Sequence, residues 1–151
     1  MLLGRLAVRA QTVADGATPG LVTTVTADAT GQKLVHLINF SVQPQRFTLT
    51  VAGELYAGGT VLELPARTGL MLPLDVRLDG AVLRWATAEL DEPRDGPTLS
   101  LRRGAGPGSA LLETDRTVVV EDGSRTERTE GGVLVTWPGG ADGERLDVRL
   151  A

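Results

Sequence analysis

Apolar and polar side chains alternate along this chain in short runs, and clusters of Gly, Pro, Asp and Asn separate the runs. A two-residue period sends successive side chains to opposite faces of a pleated strand, so the pattern predicts strands from end to end. Leu6, Val8 and Ala10 share one face of a first strand, which the turn-forming stretch 15–20 closes. Residues 21–29 follow, rich in the β-branched Thr and Val that suit a pleated surface, and 30–32 reads as a hairpin turn. In 33–40, Leu34, His36, Ile38 and Phe40 fall on one face and Val35 and Leu37 on the other, which predicts a central strand covered on both sides. Phe47, Leu49 and Val51 alternate with Thr48 and Thr50, and Gly58-Gly59 precedes a run at 60–64. Leu70, Leu72, Leu74 and Val76 alternate strictly; Pro73 has no N–H for a ladder and predicts an edge or bulge there.

Asp79-Gly80 is a turn signal, after which 81–90 reads as one long apolar strand containing Trp85, closed by the polar stretch 91–97. Further strands are expected at 98–102, 110–113, 117–121, 133–137 and 145–150, joined by the glycine-rich 104–108, Asp122-Gly123 and Gly139-Gly140. Helical periodicity and internal repeats are missing, which sets propellers and solenoids aside. The expected fold is therefore an all-β, antiparallel β-sandwich of about ten strands, with residues 1–151 forming a single domain. A strand pattern that runs to Leu150 and Ala151 with no polar tail reads as a domain excised from a larger protein.

Composition narrows the function classes. A chain of 151 residues, 42% hydrophobic and 23% charged, has the balance of a globular protein and can bury a core without staples. The absence of cysteine excludes disulfides, thiol catalysis and thiolate metal sites, and leaves the redox compartment open. A net charge of −4, with arginines and acids interspersed, offers no sustained positive field for a phosphate backbone, so no nucleic-acid partner is expected. No apolar stretch approaches the roughly 20 residues of a membrane span, and Arg5 and Arg9 interrupt any signal-peptide core, so localisation stays open. Lys33 is the one lysine, and with abundant Ala, Gly, Leu and Val this points to GC-rich, bacterial coding.

Candidate chemistry is sparse. His36 is the single histidine and lies mid-strand among apolar residues, with no Gly-x-Ser-x-Gly elbow to supply a nucleophile. A packed or hydrogen-bonded role is the reading, and zinc sites with two His or Cys ligands are excluded. The 104–108 stretch superficially resembles a phosphate loop, but Pro107 removes a backbone donor and a strand, not a helix, follows. Asp142-Gly143-Glu144 and the acids from Asp91 to Asp95 lack the ligand spacing of a calcium loop and read as solvated turns. Asn39-Phe40-Ser41 matches a glycosylation sequon, although its strand setting argues against use. Trp85 and Trp137 are the sugar-contact candidates, since an indole face suits the C–H face of a pyranose; with aromatics at only 3%, a role as core anchors is favoured for both. No catalytic residue, metal site or cofactor is predicted.

Three stretches carry a family resemblance. The first runs from Leu62-Glu63-Leu64-Pro65 through Leu72-Pro73-Leu74 to Val82-Leu83-Arg84-Trp85-Ala86-Thr87-Ala88-Glu89-Leu90, of which Thr87-Ala88-Glu89 is the most specific piece. The second is the Gly104–Gly108 turn. The third is Val118-Val119-Val120-Glu121-Asp122-Gly123 followed by Gly132-Val133-Leu134-Val135-Thr136-Trp137. In this order they resemble the all-β second domain of family 35 β-galactosidases, which follows the catalytic barrel. Ser109 departs from the acidic residue many members carry, and His36-Leu37-Ile38-Asn39-Phe40-Ser41 fits poorly where members often have Val-Arg-His. The family's two catalytic glutamates belong to its barrel, so the resemblance implies no catalytic residue in this chain. It implies a non-catalytic accessory sandwich that braces or shapes the catalytic barrel of the same parent chain. The alternatives are a stand-alone carbohydrate-binding module using Trp85 or Trp137, and a structural or assembly sandwich that pairs through an exposed strand edge.

Overall fold

The computed structural model describes residues 6–8, 12–91, 98–120 and 123–151. Arg5, Arg9, Ala10, the turn residues 92–97 and the Glu121-Asp122 pair lie outside the described residues. The fold is all-β, and among the described residues the strand pairings within each unit are antiparallel. The chain divides into two compact units, Met1–Leu72 and Pro73–Ala151.

The first unit contains β1 (Leu6–Val8), β2 (Thr12–Asp15), β3 (Leu21–Ala27), β4 (Lys33–Asn39), β5 (Gln45–Val51), β6 (Glu54–Leu55) and β7 (Leu62–Leu64). One sheet places β3 between β1 and β4; in the other, β5 pairs with β2, β6 and β7. The β3–β4 hairpin is closed by Asp28, whose Oδ1 accepts from the backbone N–H groups of Thr30 at 2.9 Å and Gln32 at 3.0 Å, while Gly31 supplies the positive φ. The two-residue period holds in β5: Phe47, Leu49 and Val51 are buried, as are Val25, Val35 and Leu37 on the other sheet. In β4 the buried face is Val35, Leu37 and Asn39, whereas Ile38 and Phe40 are exposed. The strand is thus covered on one face, not two. Asn39 decides the orientation, because its buried Nδ2 donates to the carbonyls of Gln43, Leu64 and Pro65.

β8 (Gly69–Leu78) contains the division between the units, and its irregularity falls at Asp75, with φ of 52°, two residues beyond Pro73. The second unit continues with β9 (Ala81–Ala86), β10 (Glu89–Leu90), β11 (Thr98–Arg102), β12 (Gly108–Glu113), β13 (Val118–Val120), β14 (Arg125–Thr129), β15 (Gly132–Trp137) and β16 (Arg145–Leu150). Its sheets run β8-β9-β12-β15-β14 and β10-β11-β16-β13. Leu83, Ala86, Ala110, Leu112, Val135 and Trp137 from the first sheet meet Leu99, Leu101, Leu146, Val148 and Leu150 from the second in a single buried cluster. That interior makes the unit a β-sandwich, and each fully buried leucine contributes about 1.5–3 kcal/mol.

Sixteen strand segments occur among the described residues, against about ten in the sequence pattern. The surplus comes from two-residue pieces such as β6 and β10, and from β14, whose five residues are all exposed. The expected single strand at 81–90 splits into β9 and β10. The pairing of β9 with β12 slips between Leu111 and Leu112, leaving Arg84 as the extra residue of a bulge.

Candidate functional site

The bulge in β9 turns Arg84 and Trp85 onto the sheet's outer side while Leu83 and Ala86 stay in the core. Arg84 then reaches two carboxylates at once. Its Nη1 donates to Asp75 Oδ1 at 3.0 Å, its Nε donates to Glu113 Oε2 at 2.7 Å, and its Nη2 also pairs with Glu113. Hydrogen bonds to Asp75 first and Glu113 second hold the guanidinium above its ordinary pKa, against a smaller desolvation effect. Asp75 occupies the left-handed region that non-glycine residues avoid, so local backbone strain coincides with this network.

Trp85 is half-buried and pairs with Leu74 on β8 and Leu111 on β12, and Leu111 pairs in turn with Leu134. These four side chains, all half-buried, form an apolar row across the sheet. Trp137 has a different place. It is 4% exposed and belongs to the core cluster, with its indole against Gly108. Of the two sugar-contact candidates, Trp85 alone has surface open to a ligand.

An open cleft of about 770 Å³ lies at one end of the same sheet. Its walls come from the β8–β9 turn, the segment after β12 and the β14–β15 turn, and they carry Arg77, Asp115, Arg128 and Glu130 beside Glu113 and Val82. Arg128 Nη1 donates to the Thr114 carbonyl at 3.3 Å, and the buried Thr114 hydroxyl donates to the Gly80 carbonyl at 2.8 Å, tying three wall segments together. Neither the Asp75–Arg84–Glu113 network nor this cleft was signalled by sequence spacing. The available hint was a set of charged residues inside otherwise apolar runs.

The other candidates make local pairings within their strands and turns. His36 Nε2 lies 2.8 Å from the Thr26 hydroxyl across the β3–β4 pair. The 104–108 stretch joins β11 to β12, and its Ala105 carbonyl accepts from Gly140 N at 3.0 Å. Glu144 forms an ion pair with the buried Arg103 at 2.5 Å, and Asp91 accepts from Arg102 at 3.0 Å; residues 92–95 lie outside the described residues. Among the described residues, no group of three or more His, Asp or Glu side chains is placed to hold a metal ion, and no helix is long and apolar enough to cross a membrane. The sequon asparagine, Asn39, is completely buried with its amide engaged. On the outer side of β11 and β16, Ser100 donates to Asp147 at 2.6 Å and accepts from Arg145 Nη2 at 2.8 Å. The Ser100 bond first, and the Arg145 bond second, hold the Asp147 carboxyl below its usual range.

No protein-family model and no curated protein matches this sequence.

Proposed function

We propose that this chain is a non-catalytic accessory β-sandwich of a β-galactosidase-like glycoside hydrolase, bracing the catalytic barrel of the same parent chain. The observation that carries the reading is the meeting of the three resembling stretches at one corner of the second unit. Thr87 N donates to the Ser109 carbonyl at 2.9 Å and Ser109 N donates to the Thr87 hydroxyl at 2.9 Å, which binds the Thr-Ala-Glu piece to the residue after the glycine-proline-glycine turn. Gly108 of that turn lies on the indole of Trp137, the last residue of the third stretch. Motifs more than twenty residues apart in sequence thus act as one packing unit, as parts of a shared scaffold do.

The non-catalytic reading is supported by one pair of carboxylates that share a counter-charge. Asp75 and Glu113 both engage the fork of Arg84, which occupies the space a glycosidic oxygen would need between an acid and a nucleophile. The purified chain is expected to release no galactose from an aryl galactoside above a contamination control; release that follows the chain through purification overturns the reading. The coding sequence upstream of Met1 tests the other half. An in-frame (β/α)₈ barrel with glutamates at the ends of its fourth and seventh strands is the expected result, and an upstream region encoding no barrel overturns it.

A further inference from the structure

The cleft of the second unit and the Trp85 indole lie on one sheet, joined along β9. Arg77, Asp115 and Glu130 make no ion pair among the described residues, and Arg128 makes only its long bond to a carbonyl, so donors and acceptors face the same opening. Two guanidinium groups against three carboxylates, counting Glu113, give no field of one sign, which disfavours an anionic polymer. What satisfies both kinds of group is a ligand whose every polar atom donates and accepts, and hydroxyls do so.

The apolar half of the requirement lies along β9. Val82 lines the cleft and pairs with Glu113. Trp85 follows three residues later, about 10 Å along the strand, on a stretch that the Arg84–Glu113 bond links to the cleft. A half-buried indole at that distance from a polar cleft suits a ligand longer than one ring. The cleft's 770 Å³ falls within the range of about 300–1,000 Å³ that small-molecule sites occupy. Backbone strain at Asp75 and the bulge at Arg84 occur between the two parts, where such irregularities re-aim side chains toward a ligand.

We infer that this face binds a neutral oligosaccharide, with Arg77 and Arg128 donating to ring hydroxyls, Asp115 and Glu130 accepting from them, and Trp85 covering a pyranose face. The inference deepens the accessory reading by giving the module a substrate-holding surface. It is tested by titrating the full chain, with calorimetric detection, against neutral galacto- and gluco-oligosaccharides and against an oligouronate. Trp85→Ala, Trp85→Phe and the double variant Arg128→Ala with Glu130→Gln are titrated alongside, each checked for an unchanged thermal midpoint. The expected result is binding of a neutral glycan that weakens about tenfold or more, roughly 1.4 kcal/mol, in Trp85→Ala and in the cleft double variant, with Trp85→Phe retaining most of the affinity. No binding of any neutral glycan at millimolar concentration overturns the inference, and so does preference for the oligouronate or binding that ignores the cleft variant. Galactose release and the upstream coding sequence decide the accessory reading separately, so each can fail alone.

Discussion

Gly108 lies flat against Trp137: a Cβ placed on it would sit 2.5 Å from Cε2, Cζ2 and Nε1 of the indole. The indole is locked in the core, so Gly108→Ala forces overpacking and is expected to destabilise the second unit by about 1–3 kcal/mol. Urea unfolding should show a lower midpoint with an unchanged slope. An unchanged midpoint would mean that the indole can step aside.

Ala52 and Gly53 form the two-residue loop between β5 and β6, and both have positive φ, 51° and 83°. A loop of this kind favours asparagine before glycine, whereas alanine resists the left-handed region. Ala52→Asn is expected to raise stability by about 0.5–1 kcal/mol, visible as a higher thermal midpoint; Ala52→Val should lower it.

Arg103 is 5% exposed and its charge is balanced by Glu144, which is 46% exposed. Removing the carboxylate leaves a buried guanidinium with no counter-charge. Because Glu144 is half open to water, Glu144→Gln should cost about 1–3 kcal/mol, less than the 3–5 kcal/mol of a fully buried pair. Pairing it with Arg103→Met should recover part of that loss, a coupling that a double-mutant cycle measures.

The depressed carboxyl of Asp147 gives a pH signature. A group whose folded pKa lies below its unfolded value adds stability above the unfolded pKa and loses it as pH falls through the folded one. Asp147→Asn should therefore lie below the parent in stability at neutral pH, and the gap should close as the solution is acidified below the normal carboxylate range. Since the side chain is 52% exposed, the gap should be a few tenths of a kcal/mol. A gap independent of pH would assign the effect to Ser100 geometry alone.

How much could be read from the sequence depended on whether each strand had one apolar face. β11 and β16 fall at 98–102 and 145–150 as the pattern predicts, because Leu99, Leu101, Leu146, Val148 and Leu150 point inward while charged neighbours alternate with most of them. In 33–40 both faces are apolar, so periodicity could not choose, and the buried amide of Asn39 did. The run 81–90 looked continuous because a bulge needs only one extra residue, Arg84, and leaves no compositional mark. β14 has no signature in the sequence because Arg125-Thr126-Glu127-Arg128-Thr129 has no apolar side chain to alternate; only its ladder to β15 makes it a strand. The cleft and the Asp75–Arg84–Glu113 network join positions far apart in sequence, which no spacing rule connects.

β14 also closes its sheet at one margin, and its five side chains all face solvent. A terminal strand displays backbone groups that any extended segment could annex, and aqueous charge is the means by which such borders stay unclaimed. Arg125, Glu127 and Arg128 are therefore expected to guard the molecule against polymerising with its own kind. Exchanging them for valines should leave the native fold intact in dilute solution and hasten fibril growth on concentration.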